Sequence, residues 1–433
     1  MMRRIYEDFA YSDEGRSDCY WDSTVTARRW PVLQGTHQAD VAIIGAGFTG
    51  LNAAIELAAG GASVIVLDAE WPGWGASGRN GGFCCMGGAK ASDAAIARRY
   101  GQGALDDWDT AQIQAINLVA RRVSSLSLDV EQHSDGEIVL AHSRHAMKRL
   151  QRSGETVDRA GLAAMGINGP QFHGGLHTRV GFGLNPRRYL EGLARHAASI
   201  GVNIYGHSPM TQLKRGRQRW HAVTPDGWVE ADQVLIATNG YTSDDLPDWM
   251  AARYLPALSS VMVTRPLKPD EQQAQGWTSD LMAYDTRTLL HYFRLMPNGR
   301  FLFGMRGGVT CTARAEAVTR RRLRTHFEQM FPAWHHVEAT HTWSGLVCLM
   351  PALVPFAGEV PDMPGVHAAM GWHGNGVAMG SYAGASIAGR IAGTNAHPLP
   401  EFTGRTPTRF PLGQYRRSLL RLAYLGYSLT DAL

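Results

Sequence analysis

Apolar residues run along this chain in two rhythms. From Asp40 the run Val41-Ala42-Ile43-Ile44 is continuous and β-branched, the pattern of a strand covered on both faces of a parallel sheet. Gly50 to Ala59 follows at helical spacing and Ser63 to Asp68 is a second strand-like run, which together predict a strand, a helix and a strand. The apolar stretch Val41 to Leu67 has the length of a membrane span. Glu56 at its middle, with Gly45, Gly47, Gly50, Gly60 and Gly61, divides it instead into strand, turn, helix and strand, so no membrane span is expected.

Past a glycine-rich loop ending at Gly88, Ala89 to Arg122 reads as helices, Glu137 to Ala141 as a strand after an Asp135-Gly136 turn, and His145 to Gly161 as a helix. Pro186 suits a first helical turn and opens a helix through Ser199 that stops at Gly201. Val202 to Tyr205, Met210 to Leu213 and Val234 to Thr238 predict further strands. The second rhythm then takes over. Ser260 to Thr264, Leu289 to Leu295 and Phe301 to Arg306 alternate as antiparallel strands do, the last two joined by a Pro297-Asn298-Gly299 turn. Glycine-rich signals return at Trp343 to Gly345 and Gly371 to Gly376, followed by a helix of small residues through Gly393.

With 433 residues, 44% hydrophobic and 18% charged, the chain is a packed globular protein too long for one core, which predicts two domains interleaved in sequence. A net charge of +4, from 42 basic against 38 acidic residues, argues against a nucleic-acid partner. Cys19, Cys84, Cys85, Cys311 and Cys348 form neither an even framework nor a CxxC pair, so neither disulfides nor a metal site are expected and a reducing cytoplasm fits. Met1 to Tyr20 carries charges in place of an apolar core, so no secretory signal is expected.

Between the first strand and helix, Gly45, Gly47 and Gly50 stand in GxGxxG register. The first permits a tight turn, the second lets the backbone approach a pyrophosphate, and the third lets helix and strand pack closely, with the helix N-terminus facing the phosphates. Asp68 closes the next strand 23 residues beyond Gly45, where a carboxylate accepts ribose hydroxyls. Both NAD and FAD suit this unit. The second concentration of backbone amides at Trp74 to Gly82 favours the longer body of FAD. No Ser-His-Asp set, HExxH or P-loop competes with this chemistry.

Through Ala76-Ser77-Gly78-Arg79-Asn80-Gly81-Gly82 the chain resembles the D-amino-acid oxidase superfamily of FAD enzymes, and within it the gamma-glutamylputrescine oxidase branch. Tyr20-Trp21, Asn185-Pro186, Ala237-Thr238-Asn239 and Gly371 to Val377 match in family order, so the resemblance covers residues 20–430. It implies an α/β fold, α+β overall, of the glycine oxidase type. A Rossmann-type FAD-binding domain from residues 36–95, 185–250 and 340–400 would interleave with an antiparallel-sheet substrate domain from 96–184 and 251–339. An N-terminal arm, 1–35, and a C-terminal extension, 401–433, complete the expectation.

The resemblance also implies FAD contacts from Ser77, Gly78, Arg79, Asn80, Gly81 and Gly82, from Thr238, and from the backbone at Met210, where the family usually has valine. Gly371, Gly374, Asn375, Gly376 and Val377 would form the loop and helix start under the N1 and O2 edge of the flavin, where a helix dipole stabilises negative charge. Over the flavin, strand alternation puts Leu302, Gly304 and Arg306 on one face and Phe301, Phe303 and Met305 on the other. Arg306 is the anion-recognising candidate, weighed against a solvated strand end. His373 either approaches flavin or substrate or is a structural histidine. His291, Tyr292 and Arg294 are further candidates, and Trp343 is either a wall of the site or core.

Two departures temper the analogy with sarcosine oxidases of this superfamily. Leu302 stands where they carry a lysine that speeds the reaction with oxygen, and Ala378 where they carry a carboxylate-binding lysine; no lysine lies near Leu302 in sequence. Gly345-Leu346-Val347-Cys348 resembles the segment where monomeric sarcosine oxidases link a cysteine to flavin, so a covalent bond to Cys348 competes with ordinary core packing. The implied function is oxidation of a small amine or amino-acid-like compound by hydride transfer to flavin N5. The imine would hydrolyse to an aldehyde or keto product, with O2 as electron acceptor. A dehydrogenase serving another acceptor and a flavin-binding module without turnover are the alternatives.

Overall fold

The computed structural model describes residues 3–430 apart from 17 and 27. Its first sheet is built on the predicted parallel strands, with antiparallel strands at Gln212–Arg215, Trp220–Val223 and Phe356–Glu359. Gly35–Ile44 pairs in parallel with Val64–Leu67 on one side and Gly227–Ile236 on the other. Asn203–Tyr205 extends the sheet beyond the former, and Val366–Met370 beyond the latter. The run Val41 to Ile44 is apolar throughout because both of its faces are covered. Val41 and Ile43 pack toward the helices, while Ala42 and Ile44 pack on the opposite face with Val229, Ile236 and Phe356 of the same sheet.

The helices Phe48–Ala59, Pro186–Ser199 and Ser381–Ile391 cover one face of that sheet. Pro186 sits in the first turn as expected, and Asn185 Oδ1 accepts from the backbone N–H groups of Arg187 and Arg188, both at 3.1 Å. The small residues of Ser381–Ile391 allow close helix contact. A Cβ at Gly384 would stand 2.1 Å from the Thr49 carbonyl oxygen. The long helix Gln102–Ser125 joins this same core through Trp108, Ala115 and Val119, so it does not belong with the second sheet as residues 96–184 were expected to.

The second sheet runs in the order Ala339–Leu349, Leu255–Pro266, Arg300–Arg306, His291–Leu295, Met282–Asp285, Glu137–Leu140, Gly175–Thr178. Its neighbours are antiparallel except for Met282–Asp285 with Glu137–Leu140. Alternation holds along Phe301 to Met305. Phe301 and Phe303 enter an aromatic cluster with Phe293, Phe327, Phe331 and Trp334, where the Phe301 and Trp334 centroids lie 4.9 Å apart.

Three sequence expectations are corrected here. Ala339–Leu349 is a long strand paired with Leu255–Pro266, so the second sheet extends past residue 340; its apolar residues alternate around Gly345, which had read as loop. The helix expected over His145 to Gly161 is two, Arg144–Leu150 and Arg159–Ala164, since Ser153-Gly154 breaks the first and Asp158 caps the second. The strand expected at Met210 to Leu213 lies at Gln212–Arg215. Among the described residues no helix is long and apolar enough to cross a membrane, and no three potential metal ligands cluster.

Candidate active site

The glycine turn builds the nucleotide cleft from backbone. Gly45 adopts φ +105°, and a Cβ there would lie 2.9 Å from the Ala237 carbonyl oxygen. A Cβ at Gly50 would stand 2.0 Å from the Gly45 carbonyl oxygen, so this glycine serves close packing and does not line the cleft. At Gly47 the obstacle would be Ser77 Oγ at 2.8 Å, and that hydroxyl accepts from the Phe48 N–H at 3.0 Å. Asp68 closes the turn. Its carboxylate accepts from the N–H groups of Ala46 at 2.8 Å and Glu70 at 3.0 Å, while burial raises the carboxyl above its ordinary range against them.

Gly45, Gly47, Asp68, Ser77, Met210, Thr238, Cys348 and Gly376 line one cleft of about 1450 Å³, counting its open mouth. A second cavity of about 1140 Å³ opens on the second sheet and shares Ala76, Asn80, Leu346, Val347 and Gly374 with the first. The two spaces therefore adjoin, with these residues forming the wall between them. A glycine-lined cradle at one end and an apolar wall at the junction fit an elongated dinucleotide, with Gly45, Gly47, Asp68 and Ser77 placed to hold its phosphate and ribose portion.

The loop from Trp74 to Gly82 divides the two spaces and is clamped from behind. Trp21 Nε1 donates to the Asn80 carbonyl at 2.8 Å, and Trp343 Nε1 to the Arg79 carbonyl at 2.7 Å. Trp343 is thus a buried core residue outside both linings. Arg79 is itself buried over the Trp74 ring, 4.2 Å from its centroid, and Asn80 Oδ1 accepts from the Gly82 N–H at 2.8 Å. Gly78, Gly82 and Gly371 line neither space. A Cβ on Gly78 would meet the Gly73 carbonyl oxygen at 2.1 Å, one on Gly82 the Leu184 carbonyl oxygen at 2.0 Å, and one on Gly371 the Met350 side chain at 2.1 Å. Gly81 does line the second cavity, as do Arg79, Asn375 and Val377.

On the cavity face of the second sheet stand Arg306, Tyr292 and Ser259. Arg306 Nη2 donates to the His373 carbonyl at 2.7 Å, which ties the strand to the Gly371 to Val377 loop, and burial lowers the guanidinium below its usual range. The Tyr292 hydroxyl lies 3.0 Å from Ser259 Oγ. A side chain at Gly304, the partner of Tyr292, would collide with this ring, the Tyr292 Cζ lying 2.2 Å from a Cβ there.

Other candidates take different positions. His291, one residue before Tyr292, points to the aromatic face. It stacks on Phe303 and joins Asp285 at 2.8 Å and His326 at 2.7 Å. The same alternation that orients Arg306 removes His291 from the cavity. Arg294 lies behind the glycine loop, donating to the carbonyls of Gly81 at 3.0 Å and Leu184 at 2.7 Å. His373 has both ring nitrogens occupied. Nδ1 donates to the Gly88 carbonyl at 2.9 Å and Nε2 accepts from the Met350 N–H at 3.2 Å, and burial lowers its pKa to about 4. The residue lines the second cavity with its ring held neutral by that burial, and its carbonyl orients Arg306.

Glu137 and Tyr284 line the cavity without having been expected there. Glu137 opens the apolar run Glu-Ile-Val-Leu, where a charged first residue reads as a solvated strand end, yet it is 4% exposed. Lys90 also reaches the lining, although it is distant from Leu302 in sequence.

A dinucleotide cleft on parallel strands beside a cavity on an antiparallel sheet is the architecture of a flavin oxidoreductase. The family model of DAO, FAD dependent oxidoreductase, matches residues 40–390, and the chain belongs to this family, an enzyme family whose cofactor is FAD. A probable oxidoreductase OrdL of Rhizobium meliloti is 29% identical, over 95% of this chain and 97% of its own length. The gamma-glutamylputrescine oxidoreductase of Escherichia coli is 27% identical, over 97% of this chain and 99% of its own. Among solved structures, glycine oxidase from Geobacillus kaustophilus shares the fold with a TM-score of 0.71 at 18% identity, covering 85% of this chain and 98% of that one.

Proposed function

We propose that this protein oxidises a small amine or amino-acid-like compound carrying a polar or anionic group, giving an imine that hydrolyses to an aldehyde or keto product and ammonia or an amine. Bound FAD supplies the acceptor for the hydride that leaves the carbon next to nitrogen. The residues of this chain bind and orient the substrate. The observation that carries the reading is Arg306, a guanidinium on the cavity wall fixed by the His373 carbonyl at 2.7 Å and so held ready for an anionic group. Tyr292, backed by Ser259, gives an aromatic wall with a polar tip beside it. The amine must be unprotonated when hydride departs, because its lone pair assists that departure. The similarity to gamma-glutamylputrescine oxidoreductase over nearly its whole length supports an amine substrate.

Oxygen is the proposed electron acceptor. A second reading, a dehydrogenase serving another acceptor, is favoured by Leu302 standing where sarcosine oxidases of the superfamily carry lysine. The test is anaerobic mixing of the purified flavoprotein with a panel of amines, followed by admission of air. Bleaching of the flavin band by one of them, with colour and hydrogen peroxide on aeration, is expected. No bleaching by any amine would overturn the reading, and bleaching that air fails to reverse would select the dehydrogenase.

A further inference from the structure

We infer that Glu137, steadied by Tyr284, binds an ammonium group of the substrate at the end of the cavity away from Arg306. The preferred substrate is then an extended amine that binds positive at one end and negative at the other, the ammonium giving up a proton to the Glu137 carboxylate before hydride departs. This rests on the amine-oxidising reading above and adds the charge pattern and the length of the substrate.

The sheet order sets the geometry. The strands carrying Arg306, Tyr292, Tyr284 and Glu137 follow one another as Arg300–Arg306, His291–Leu295, Met282–Asp285 and Glu137–Leu140. Gly304 pairs with Tyr292 and Tyr292 with Tyr284, so these positions share one face, and Glu137 stands on that face two residues before the partner of Tyr284. Three strand spacings separate the outer two strands, about 14 Å between axes. Arg306 lies two residues beyond Gly304 and Glu137 two residues before the partner of Tyr284, on strands running the same way, which adds about 13 Å along the strands. The two therefore mark diagonal ends of a wall whose middle is tyrosine.

The environment of Glu137 asks for a cation. Its side chain is buried, Oε1 accepts from the Tyr284 hydroxyl at 3.4 Å, and Oε2 has no hydrogen-bond partner. Cys85 and Tyr284, the titratable groups acting on it, favour the carboxylate by hydrogen bonding but bring no positive charge. Burial accordingly raises the carboxyl to about 7. Protonation alone does not resolve the vacancy, because a carboxylic O–H at Oε2 would still need an acceptor. A substrate ammonium would satisfy the oxygen and neutralise the charge together, which is how a carboxylate is tolerated away from water.

Calorimetric titration of the holoenzyme at mildly alkaline pH with 5-aminopentanoate, pentylamine and pentanoate separates the two ends. The doubly charged compound should bind wild type most tightly. Glu137→Gln should weaken pentylamine and 5-aminopentanoate by about ten-fold or more while leaving pentanoate unchanged. Arg306→Ala should do the reverse. Retained flavin colour and an undiminished Tm in Glu137→Gln would verify its fold; if that variant loses flavin, Tyr284→Phe provides the test, with pentylamine binding weakened several-fold. Equal pentylamine affinity in wild type and variant, or no pentylamine binding to wild type, would overturn the inference. Equal affinities with amine bleaching intact would sink the Glu137 subsite alone, whereas failure of every amine to bleach the flavin, with pentylamine still bound through Glu137, would sink only the oxidation.

Discussion

At the phosphate end of the cofactor cleft, the lining is built on a glycine turn at Gly45 and Gly47, the start of the helix Phe48–Ala59, and the loop from Trp74 to Asn80. In the adjoining cavity it is side chains, with Arg306, Tyr292, Tyr284 and Glu137 each delivered by a different strand. The difference predicts how each region fails. The glycine turn leaves no room for added atoms, a Cβ meeting the Ala237 carbonyl oxygen or Ser77 Oγ at under 3 Å, so it should break all at once. A wall of independent side chains should degrade by degrees and permit changes of specificity.

The largest effect is therefore expected at Gly47. In Gly47→Val the new side chain meets Ser77 Oγ and occupies the approach to the helix N-terminus. The purified variant should carry no FAD, read as the loss of the visible flavin band per mole of protein. Full yellow colour would show that the cradle is less rigid than the geometry requires. On the side-chain wall, Arg306→Ala should keep its flavin and lower kcat/KM on the true substrate by a factor equivalent to about 2–4 kcal/mol. An unchanged kcat/KM would reduce Arg306 to a tether between strand and loop.

The same contrast governs what the sequence reveals. Gly45, Gly47, Gly50 and Asp68 lie within one local unit, so spacing alone places them, and the Ala76 to Gly82 motif extends the reading to FAD. The cavity wall draws on residues 137, 284, 292 and 306, and only the tertiary pairing of four strands puts them together. Alternation does orient Arg306 toward the cavity. Applied one strand earlier it would have turned His291 away, since it and Tyr292 are adjacent and must face opposite sides. Glu137 was not legible because burial of a strand's first residue depends on what packs across it.

A third effect concerns pH. Burial raises Glu137 to about 7, against roughly 4.3 in an unfolded chain. The folded state holds this proton more tightly, so the associated stability is fully present below about pH 4 and is lost as pH rises through about 7, about 4 kcal/mol in all. Urea melts across that range should show the decline in wild type and a flatter profile in Glu137→Gln. Parallel profiles would mean that the carboxyl is solvated in the folded protein.

A smaller effect sharpens the contrast between the two faces of the second sheet. His291→Ala removes hydrogen bonds to Asp285 and His326 on the aromatic side. It should lower stability by about 1–3 kcal/mol and leave kcat/KM of the surviving enzyme unchanged. A kinetic defect at permissive temperature would place His291 in communication with the cavity.

The smallest effect is expected at Cys348, where the two regions meet. The residue lines the cofactor cleft, but its backbone belongs to the strand Ala339–Leu349 of the second sheet, paired opposite Pro256. Burial pushes its thiol up to about 12, so it stays protonated near neutral pH, and a neutral thiol is a poor nucleophile. Attack on the flavin would need a thiolate that this surrounding disfavours, and no cation beside the sulfur is strong enough to reverse the upward shift, Arg416 being the one that lowers it. The cysteine is then a small packing residue. Acid precipitation should release all FAD into the supernatant, and Cys348→Ser should retain full flavin content with a stability loss of about 1 kcal/mol from burying a hydroxyl. A precipitate that stays yellow, with a protein mass raised by one FAD and returned to that of the bare chain in Cys348→Ser, would establish the covalent bond and show that bound flavin activates a thiol its surroundings otherwise keep inert.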